Sequence, residues 1–221
     1  MKYLRFLLPA FVCLGAFTSC AQKVKAPKKV KQAVNTQDLS KLSQATFAAG
    51  CFWHEEALFE SVKGVKEAVS GYAGGTTNDP TYESIETGNT GHTETVTVYY
   101  DSSVINYPTL LKVFFAGQDP TDVNGQGPDR GTQYRSVAFY NNVAEKNMID
   151  NLIKTLNASG KYKRPIAVQV APLKKFWPAE DYHQDYIMHN PDGGYVRNVS
   201  IPEIQHFQHK YPDLVKADHK F

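Results

Sequence analysis

The stretch QATFAAGCFWHEEALFE, residues 44–60, places a short apolar run directly before a cysteine and a helical pattern. Residues 44–49 are mostly apolar and few in number, which is typical of a buried strand. Residues 52–62 separate polar from apolar side chains at helical spacing, and Gly64 ends that pattern. The sequence therefore predicts a strand that runs through Gly50 and Cys51 into a helix.

The remainder of the chain continues this alternation of strands and helices. Further strands are predicted at 65–72, 93–100, 134–140 and 166–170, and helices from Tyr107 and over 142–156. The order β-α-β, β-α-β, α-β predicts an α+β fold, a two-layer sandwich with a mixed sheet and a split β-α-β (ferredoxin-like) core. Residues 76–91 look like a polar loop, the chain after Phe176 has no clear pattern, and one domain is expected over residues 44–221.

Composition excludes several classes of protein. Of the 221 residues, 42% are hydrophobic and 21% are charged, which excludes a disordered, collagen-like or polytopic membrane chain. The net charge of +2 is unevenly placed, because residues 1–37 hold seven basic residues and no acid. Residues 38–221 hold the other 17 basic residues against all 22 acids, a net charge of −5. A nucleic-acid partner is therefore not expected.

The first 43 residues look like a leader and a tether. A basic start is followed by 12 apolar residues at 6–17, too few for a membrane-spanning helix, which needs about 20. This signal peptide, residues 1–19, resembles a bacterial lipoprotein signal in which Cys20 is acylated and becomes the mature N-terminus. The alternative is a plain secretory signal cut near Ser19. Residues 20–43 are expected to be a lipid-attachment Cys and Lys-rich tether, which predicts export to the cell envelope or periplasm and attachment to a membrane through the lipid.

The cysteine count restricts the chemistry. The chain has three cysteines, of which Cys13 lies in the predicted signal and Cys20 would be capped by lipid. Cys51 is then the one thiol of the folded part, so a disulfide framework and a multi-cysteine zinc site are excluded. A single cysteine in an exported protein is either an inert core residue or a reactive group, and its neighbours must decide.

Cys51 is predicted to lie at the start of a helix. Free backbone N–H groups and the helix dipole favour an anion there. An ordinary thiol has a pKa of about 8.5, and about 1 kcal/mol of stabilisation at a helix end lowers it by somewhat under one unit. The position therefore predicts a thiolate-rich Cys51, and Gly50 would let another molecule approach the backbone closely.

Other residues could assist this thiol. Phe52 and Trp53 could wall a small apolar pocket or pack into the core. Glu94, at the start of a predicted strand, could donate a proton if it is partly buried, although such a residue is more often a solvated charge. Polar groups from three turn-rich segments are further candidates: Tyr82, Asp129 and Tyr134.

A set of short motifs follows in order along residues 44–200, comprising GCFWHEE (50–56), GYAGG (71–75), NDPTYESI (78–85), TGHTE (90–94), GTQYRS (131–136) and AEDYHQDY (179–186). Together they resemble the A-type peptide methionine sulfoxide reductases. That resemblance implies an α+β sandwich fold and reduction of methionine S-sulfoxide, in proteins, peptides or as the free amino acid.

The resemblance also implies a role for each matching residue. The thiolate of Cys51 would attack the sulfoxide sulfur, and Phe52 and Trp53 would hold the S-methyl group. Glu94 would protonate the sulfoxide oxygen and Cys51 would become a sulfenic acid. The resemblance further implies that Tyr82 and Tyr134 donate hydrogen bonds to that oxygen and that Asp129 orders the site. Gly50 and Glu56 would have structural roles.

Many relatives carry further cysteines near the C-terminus that attack the sulfenic acid, and this chain has none after Cys51. We therefore expect a single-cysteine enzyme without bound cofactor, regenerated by an external thiol reductant that is thioredoxin-like, glutaredoxin-like or a small thiol. His54 is expected at the rim of the site or facing away from the thiol, and His206 and His209 in solvent, so no metal is assigned. The rival functions are a cysteine-dependent acyl-transfer enzyme with His92 or His183 as base, and a non-catalytic lipoprotein with Cys51 buried.

Overall fold

The structure is a computed structural model, and it describes residues 39–221. The predicted signal peptide, Cys20 and most of the tether lie outside the described residues. Eight strands are formed: β1 (Ser43–Ala48), β2 (Val65–Ala73), β3 (Thr93–Tyr100), β4 (Gly125–Gln126), β5 (Asp129–Arg130), β6 (Val137–Tyr140), β7 (Gln169–Pro172) and β8 (Phe176–Pro178). The α-helices are α1 (Phe52–Glu60), α2 (Tyr82–Glu86), α3 (Tyr107–Ala116), α4 (Val143–Ala158), α5 (Tyr186–His189) and α6 (Ile201–Lys210).

The main sheet has six strands in the order β7-β6-β1-β3-β2-β8. Strand β3 is antiparallel to both β1 and β2, so those two strands are parallel to each other and β3 separates them. Only the β6–β7 pair is parallel among neighbours of this sheet. A β1-α1-β2 unit split by β3, within a mixed sheet, confirms the predicted α+β class and split β-α-β core.

The core forms where helices α1 and α3 cover the sheet. Phe47 points from β1 into this layer, and its ring lies 5.4 Å from that of Phe59 and 4.8 Å from that of Phe114. Thr46, the preceding residue, faces the other side and its hydroxyl meets that of Thr97 at 3.0 Å. This alternation follows from the two-residue period of a strand, and it fixes which face of β1 meets the helices.

The largest differences from the predictions are in four places. The polar loop 76–91 contains helix α2, which a capping box between Thr81 and Ser84 begins. The strand predicted from residue 134 begins at Val137, because residues 132–134 form a 3₁₀ turn. Strand β7 starts three residues later than predicted, at Gln169. The unassigned C-terminal part contains β8, α5, a π-helical turn at Val196–Ser200 and α6.

Across residues 39–221, none of the helices combines the length and the apolar character that crossing a bilayer requires.

Replacing Phe47 by alanine should destabilise the fold by about 3–5 kcal/mol, since it removes a buried ring that stacks on two others. Chemical denaturation followed by circular dichroism measures this change. The matched control is Val143→Ala in α4, whose side chain is 71% exposed and whose loss should change stability by less than about 0.5 kcal/mol. A Phe47→Ala protein as stable as the control would contradict the core described above.

Candidate functional site

A tight turn joins β1 to α1 and places Cys51. Gly50 has φ +66°, and a Cβ atom on it would lie 2.7 Å from Cβ of Gln126. The Gly50 N–H also donates to the carbonyl of Tyr134 at 3.1 Å. Gly50 is therefore needed because another part of the same chain packs against it, which corrects the expectation that the glycine leaves room for a second molecule.

Cys51 is the residue that caps the N-terminus of α1, and its side chain is buried, with 8% exposed. Burial raises the pKa of the Cys51 thiol well above its ordinary value, and the negative charges of Glu94 and Asp129 raise it further. The N–H groups of Trp53 and His54 act in the opposite direction and do not offset burial. The predicted thiolate is therefore wrong for the resting site, because desolvation outweighs the helix N-terminus.

Glu94 lies at the start of β3 and reaches the same helix end. Its Oε2 accepts the N–H of Phe52 at 2.8 Å, so the carboxyl group lies beside the residue that follows the cysteine. The side chain is 2% exposed. Burial raises the pKa of Glu94 well above its ordinary value, the Phe52 N–H lowers it, and the charges of Glu86 and Asp129 raise it again. The structure thus gives a buried carboxyl that keeps its proton, as a proton donor to a substrate requires.

Phe52 and Trp53 share an aromatic cluster. Phe52 is fully buried, with its ring 4.9 Å from that of His183 and 6.4 Å from that of Tyr82. Trp53 is half-buried, stacks on Tyr186 at 3.6 Å, and donates its indole N–H to Nδ1 of His183 at 3.0 Å. Phe52 thus packs into the core, and Trp53 is held in a fixed orientation at its edge.

The two predicted tyrosines come from separate segments. Tyr82 begins α2, and its N–H donates to Oε1 of Glu180 at 3.0 Å. Tyr134 donates its hydroxyl to Glu86, at 3.0 and 3.1 Å from the two carboxylate oxygens. Burial raises the pKa of both phenols, with the charge of Glu94 as the next cause, so both hydroxyls lie near that carboxyl and keep their protons.

Asp129 approaches Cys51 together with a residue that the sequence did not single out as functional. Oδ2 of Asp129 accepts a short hydrogen bond from the hydroxyl of Tyr195. Burial raises the pKa of Tyr195, and both Cys51 and Asp129 raise it further, which places the phenol beside the thiol and the carboxylate. Tyr195 comes from the C-terminal tail, where no periodic pattern was available to indicate it.

Glu56 supports the fold, as its implied structural role requires. Its carboxylate accepts the Ser70 hydroxyl at 2.8 Å and the Asp185 N–H at 3.1 Å. Carboxyl oxygens of Glu56, Glu60 and Asp185 lie within 4.8 Å of one another. Burial raises the pKa of Glu56 to about 9 and that of Glu60 to about 8, so these two carboxyl groups are largely protonated at neutral pH.

The two histidines proposed as a base for acyl transfer are engaged elsewhere. Nδ1 of His92 accepts the Gly75 N–H at 3.2 Å, and its Nε2 meets the Thr77 carbonyl at 2.9 Å. His183 uses Nδ1 for Trp53, and its Nε2 lies 3.9 Å from Glu180. Within the described residues neither ring pairs with the thiol, so the geometry does not support a cysteine–histidine acyl-transfer enzyme.

Comparison with known proteins gives matches over most of the chain. Residues 43–214 match the family model described as Peptide methionine sulfoxide reductase. The peptide methionine sulfoxide reductase MsrA of Picrophilus torridus is 46% identical over 164 residues, which covers 74% of this chain and 92% of that protein. The MsrA of Pasteurella multocida is 43% identical over 173 residues, 78% of this chain and 98% of that one.

Solved structures agree with these matches. Reduced Mxr1 from Saccharomyces cerevisiae aligns with a TM-score of 0.65 at 34% identity, over 70% of this chain and 88% of that one. Methionine sulfoxide reductase A of Corynebacterium diphtheriae aligns with a TM-score of 0.63 at 32% identity, over 73% of this chain and 82% of that one. The chain belongs to the peptide methionine sulfoxide reductase family and is an oxidoreductase that reduces methionine sulfoxide.

Proposed function

We propose that Cys51 is the nucleophile that removes oxygen from methionine S-sulfoxide, and that Glu94 supplies and recovers the proton. The observation that supports this assignment is the hydrogen bond from the Phe52 N–H to Glu94, which brings a protonated carboxyl to the helix end that Cys51 caps. The substrates are oxidised proteins, peptides or the free amino acid.

The substrate binds by its S-methyl group against Phe52 and Trp53. The contacts of Trp53 with His183 and Tyr186 hold the indole in one orientation, so the apolar wall is formed before the substrate arrives. The sulfoxide oxygen then faces Glu94, with the hydroxyl of Tyr82 as a further donor and that of Tyr134 as another once it turns from Glu86 to the substrate. This arrangement stabilises the negative charge that develops on oxygen when the sulfur is attacked.

The protons balance within the site. The thiol of Cys51 holds its proton at rest, and the sulfoxide oxygen must gain one before sulfur becomes a good electrophile. Glu94 gives its proton to the oxygen and takes the proton that the thiol loses as it attacks. A sulfur–sulfur bond forms transiently, the oxygen transfers, and the products are methionine and the Cys51 sulfenic acid. Cys51 is oxidised by two electrons and the substrate is reduced by two.

The enzyme then needs an external reductant. No cysteine follows Cys51 in the sequence, so no second cysteine in the catalytic domain is available to attack the sulfenic acid. A thiol from a thioredoxin-like or glutaredoxin-like protein, or a small thiol, reacts with the sulfenic acid to give a mixed disulfide and water. A second thiol releases Cys51 for the next cycle.

Cys51→Ser should abolish oxygen removal, because the hydroxyl of serine is a far weaker nucleophile than a thiolate. The measurement is the loss of one oxygen from a methionine sulfoxide peptide in the presence of dithiothreitol, followed by mass spectrometry. Cys20→Ser, the same substitution outside the catalytic domain, is the control and should retain full activity. Activity retained by the Cys51→Ser protein would contradict the assignment of Cys51 as the nucleophile.

Glu94→Gln should slow a single turnover by about 10²–10⁴-fold while changing the affinity for a sulfoxide peptide far less, since the amide cannot donate an acidic proton. The same substitution should lower the pKa of Cys51, because Glu94 is ionised in the alkaline range where the thiol loses its proton, and its charge there is one cause of the elevation. Rapid-quench kinetics measures the first effect, and the pH dependence of iodoacetamide alkylation measures the second.

The control for that experiment is Glu83→Gln, an exposed carboxylate on α2, which should change neither quantity. In wild type, alkylation of Cys51 should rise as pH increases through and beyond the range of an ordinary thiol, since its pKa is raised. An unchanged single-turnover rate in Glu94→Gln would contradict the proton-donor assignment.

We also infer that the enzyme is exported and held at the cell envelope by a lipid on Cys20. The support is the order of basic start, apolar run at 6–17 and Cys20, followed by a Lys-rich segment. The mass of the mature N-terminus tests this inference. We expect an acylated Cys20 as first residue in wild type and no acylation in Cys20→Ser, whereas an unmodified terminus near residue 20 would indicate a plain secretory signal.

A further inference from the structure

A cavity of about 490 Å³ reaches Cys51 from a side that the sulfoxide-binding residues do not occupy. Cys51, Asp129 and Tyr195 belong to its lining, and α3 and α6 contribute much of the rest. None of the residues proposed to hold the S-methyl group and the oxygen lines it: Phe52, Trp53, Tyr82, Glu94 and Tyr134. In the described part of the chain, the sulfur is thus flanked by two separate sets of residues.

His54 lines this cavity and is buried, with 5% exposed, so the first of its two predicted positions, at the rim of the site, is wrong. Neither ring nitrogen makes a hydrogen bond within ordinary distance and angle limits, and Nδ1 lies 3.6 Å from Oε2 of Glu203. Burial lowers the pKa of His54 to about 4, against the effect of the Gly117 and Ser200 carbonyls, so the ring is neutral. A neutral imidazole that lines a cavity without a firm partner can donate to or accept from a ligand there.

The charged groups around the cavity are of both signs. Lys161 and Lys210 line it, and neither ammonium group forms an ion pair within residues 39–221. The carboxyl groups of Asp129 and Glu203 lie on the same lining, closer to His54 and Tyr195. Such a lining suits a ligand that carries both a carboxylate and an ammonium group, and its volume falls within the range of small-molecule sites.

We propose that this cavity binds the reductant, a small zwitterionic thiol with a carboxylate and an ammonium group, and presents its sulfur to Cys51. The proposal rests on the proposed function, because it concerns the sulfenic acid which that reaction forms. The ligand sulfur attacks the Cys51 sulfur, the sulfur–oxygen bond breaks, and the hydroxyl leaves as water with one proton. The mixed disulfide then reacts with a second thiol, which leaves as the disulfide and restores Cys51.

The lining of the cavity includes Cys51 but not Glu94, which suits the direction that this displacement requires. The hydroxyl of the sulfenic acid derives from the oxygen held near Glu94, so it leaves toward that carboxyl, which can donate the proton that makes it water. Reaction at sulfur is fastest when the attacking atom approaches in line with the bond that breaks. A thiol entering beside Tyr195 and Asp129 reaches the sulfur without displacing the groups that hold the oxygen.

The test separates the two half-reactions in the full-length chain. The reduced enzyme is first mixed with one equivalent of a methionine sulfoxide peptide, and formation of methionine is measured without any thiol. The sulfenic form is then mixed with increasing glutathione, used as a zwitterionic thiol probe, and its decay is followed by rapid quench and mass spectrometry. We expect the decay rate to saturate with glutathione concentration, and dithiothreitol, which carries no charge, to show no saturation over the same range.

Val199→Trp should fill the cavity and slow the glutathione step by at least about tenfold, while methionine formation changes by less than about twofold. Val143→Trp, at an exposed position on α4, is the matched control and should change neither step. Equal slowing of both half-reactions in a folded Val199→Trp protein would overturn the proposal.

A second test uses S-methylglutathione with the wild-type enzyme, so it does not depend on whether the Val199→Trp protein folds. It should inhibit the glutathione step competitively and leave methionine formation unchanged. A glutathione rate that stays linear and is unaffected by S-methylglutathione would overturn the proposal. Competition with the sulfoxide peptide would also overturn it and assign the cavity to the substrate. If no sulfenic acid forms at all, it is the proposed function that has failed.

Discussion

The site depends on one crowded helix end, where a thiol and a carboxyl compete for the first backbone N–H groups of α1. Glu94 takes the N–H of Phe52, and Cys51 receives partial stabilisation from those of Trp53 and His54. Both groups are buried, and the few N–H groups do not compensate for lost water. Each group therefore holds a proton at rest. The site that we propose for the sulfoxide oxygen thus contains two protonated groups before the substrate binds.

The split sheet explains why these two groups meet. Strand β3 lies between β1 and β2, so its first residues lie beside the turn at which β1 ends and α1 begins. Gly50 keeps that turn tight against Gln126, and Tyr134 accepts its N–H, so the segment 125–134 is fixed to the same point. The position of the sulfur is consequently set by contacts of the Gly50–Phe52 backbone with the Tyr134 carbonyl and with the side chains of Gln126 and Glu94.

The sequence predicted secondary structure correctly where neighbouring residues carry the pattern. Strand β3 was predicted with its observed bounds because TETVTVYY alternates cleanly over residues 93–100, and α1 was predicted because its spacing and Gly64 are local signals. Helix α2 was missed because its five residues show too little periodicity, although the Thr81–Ser84 capping box was present in the sequence. Short segments are stabilised mainly by tertiary contacts, and those are not written in nearby residues.

For the site, too, local patterns could be read from the sequence, whereas properties set by tertiary contacts could not. The resemblance of short motifs predicted that one site contains Cys51, Glu94, Tyr82 and Tyr134. The fold places these four residues in one region. The direction of the Cys51 pKa was predicted wrongly, because a helix end can be read from sequence but burial cannot. Tyr195 was missed for a related reason, since its contact with Asp129 joins residues far apart in the chain.

The stacking of Trp53 on Tyr186 has a practical consequence for spectroscopy. The chain has two tryptophans, and one of them lies within the aromatic cluster while the other, Trp177, lies under the ammonium group of Lys175. If the methyl group of the substrate settles against the indole of Trp53, as we propose, it alters the polarity around the ring, and intrinsic fluorescence responds to that change. The protein therefore carries its own unlabelled optical signal for occupancy of the pocket.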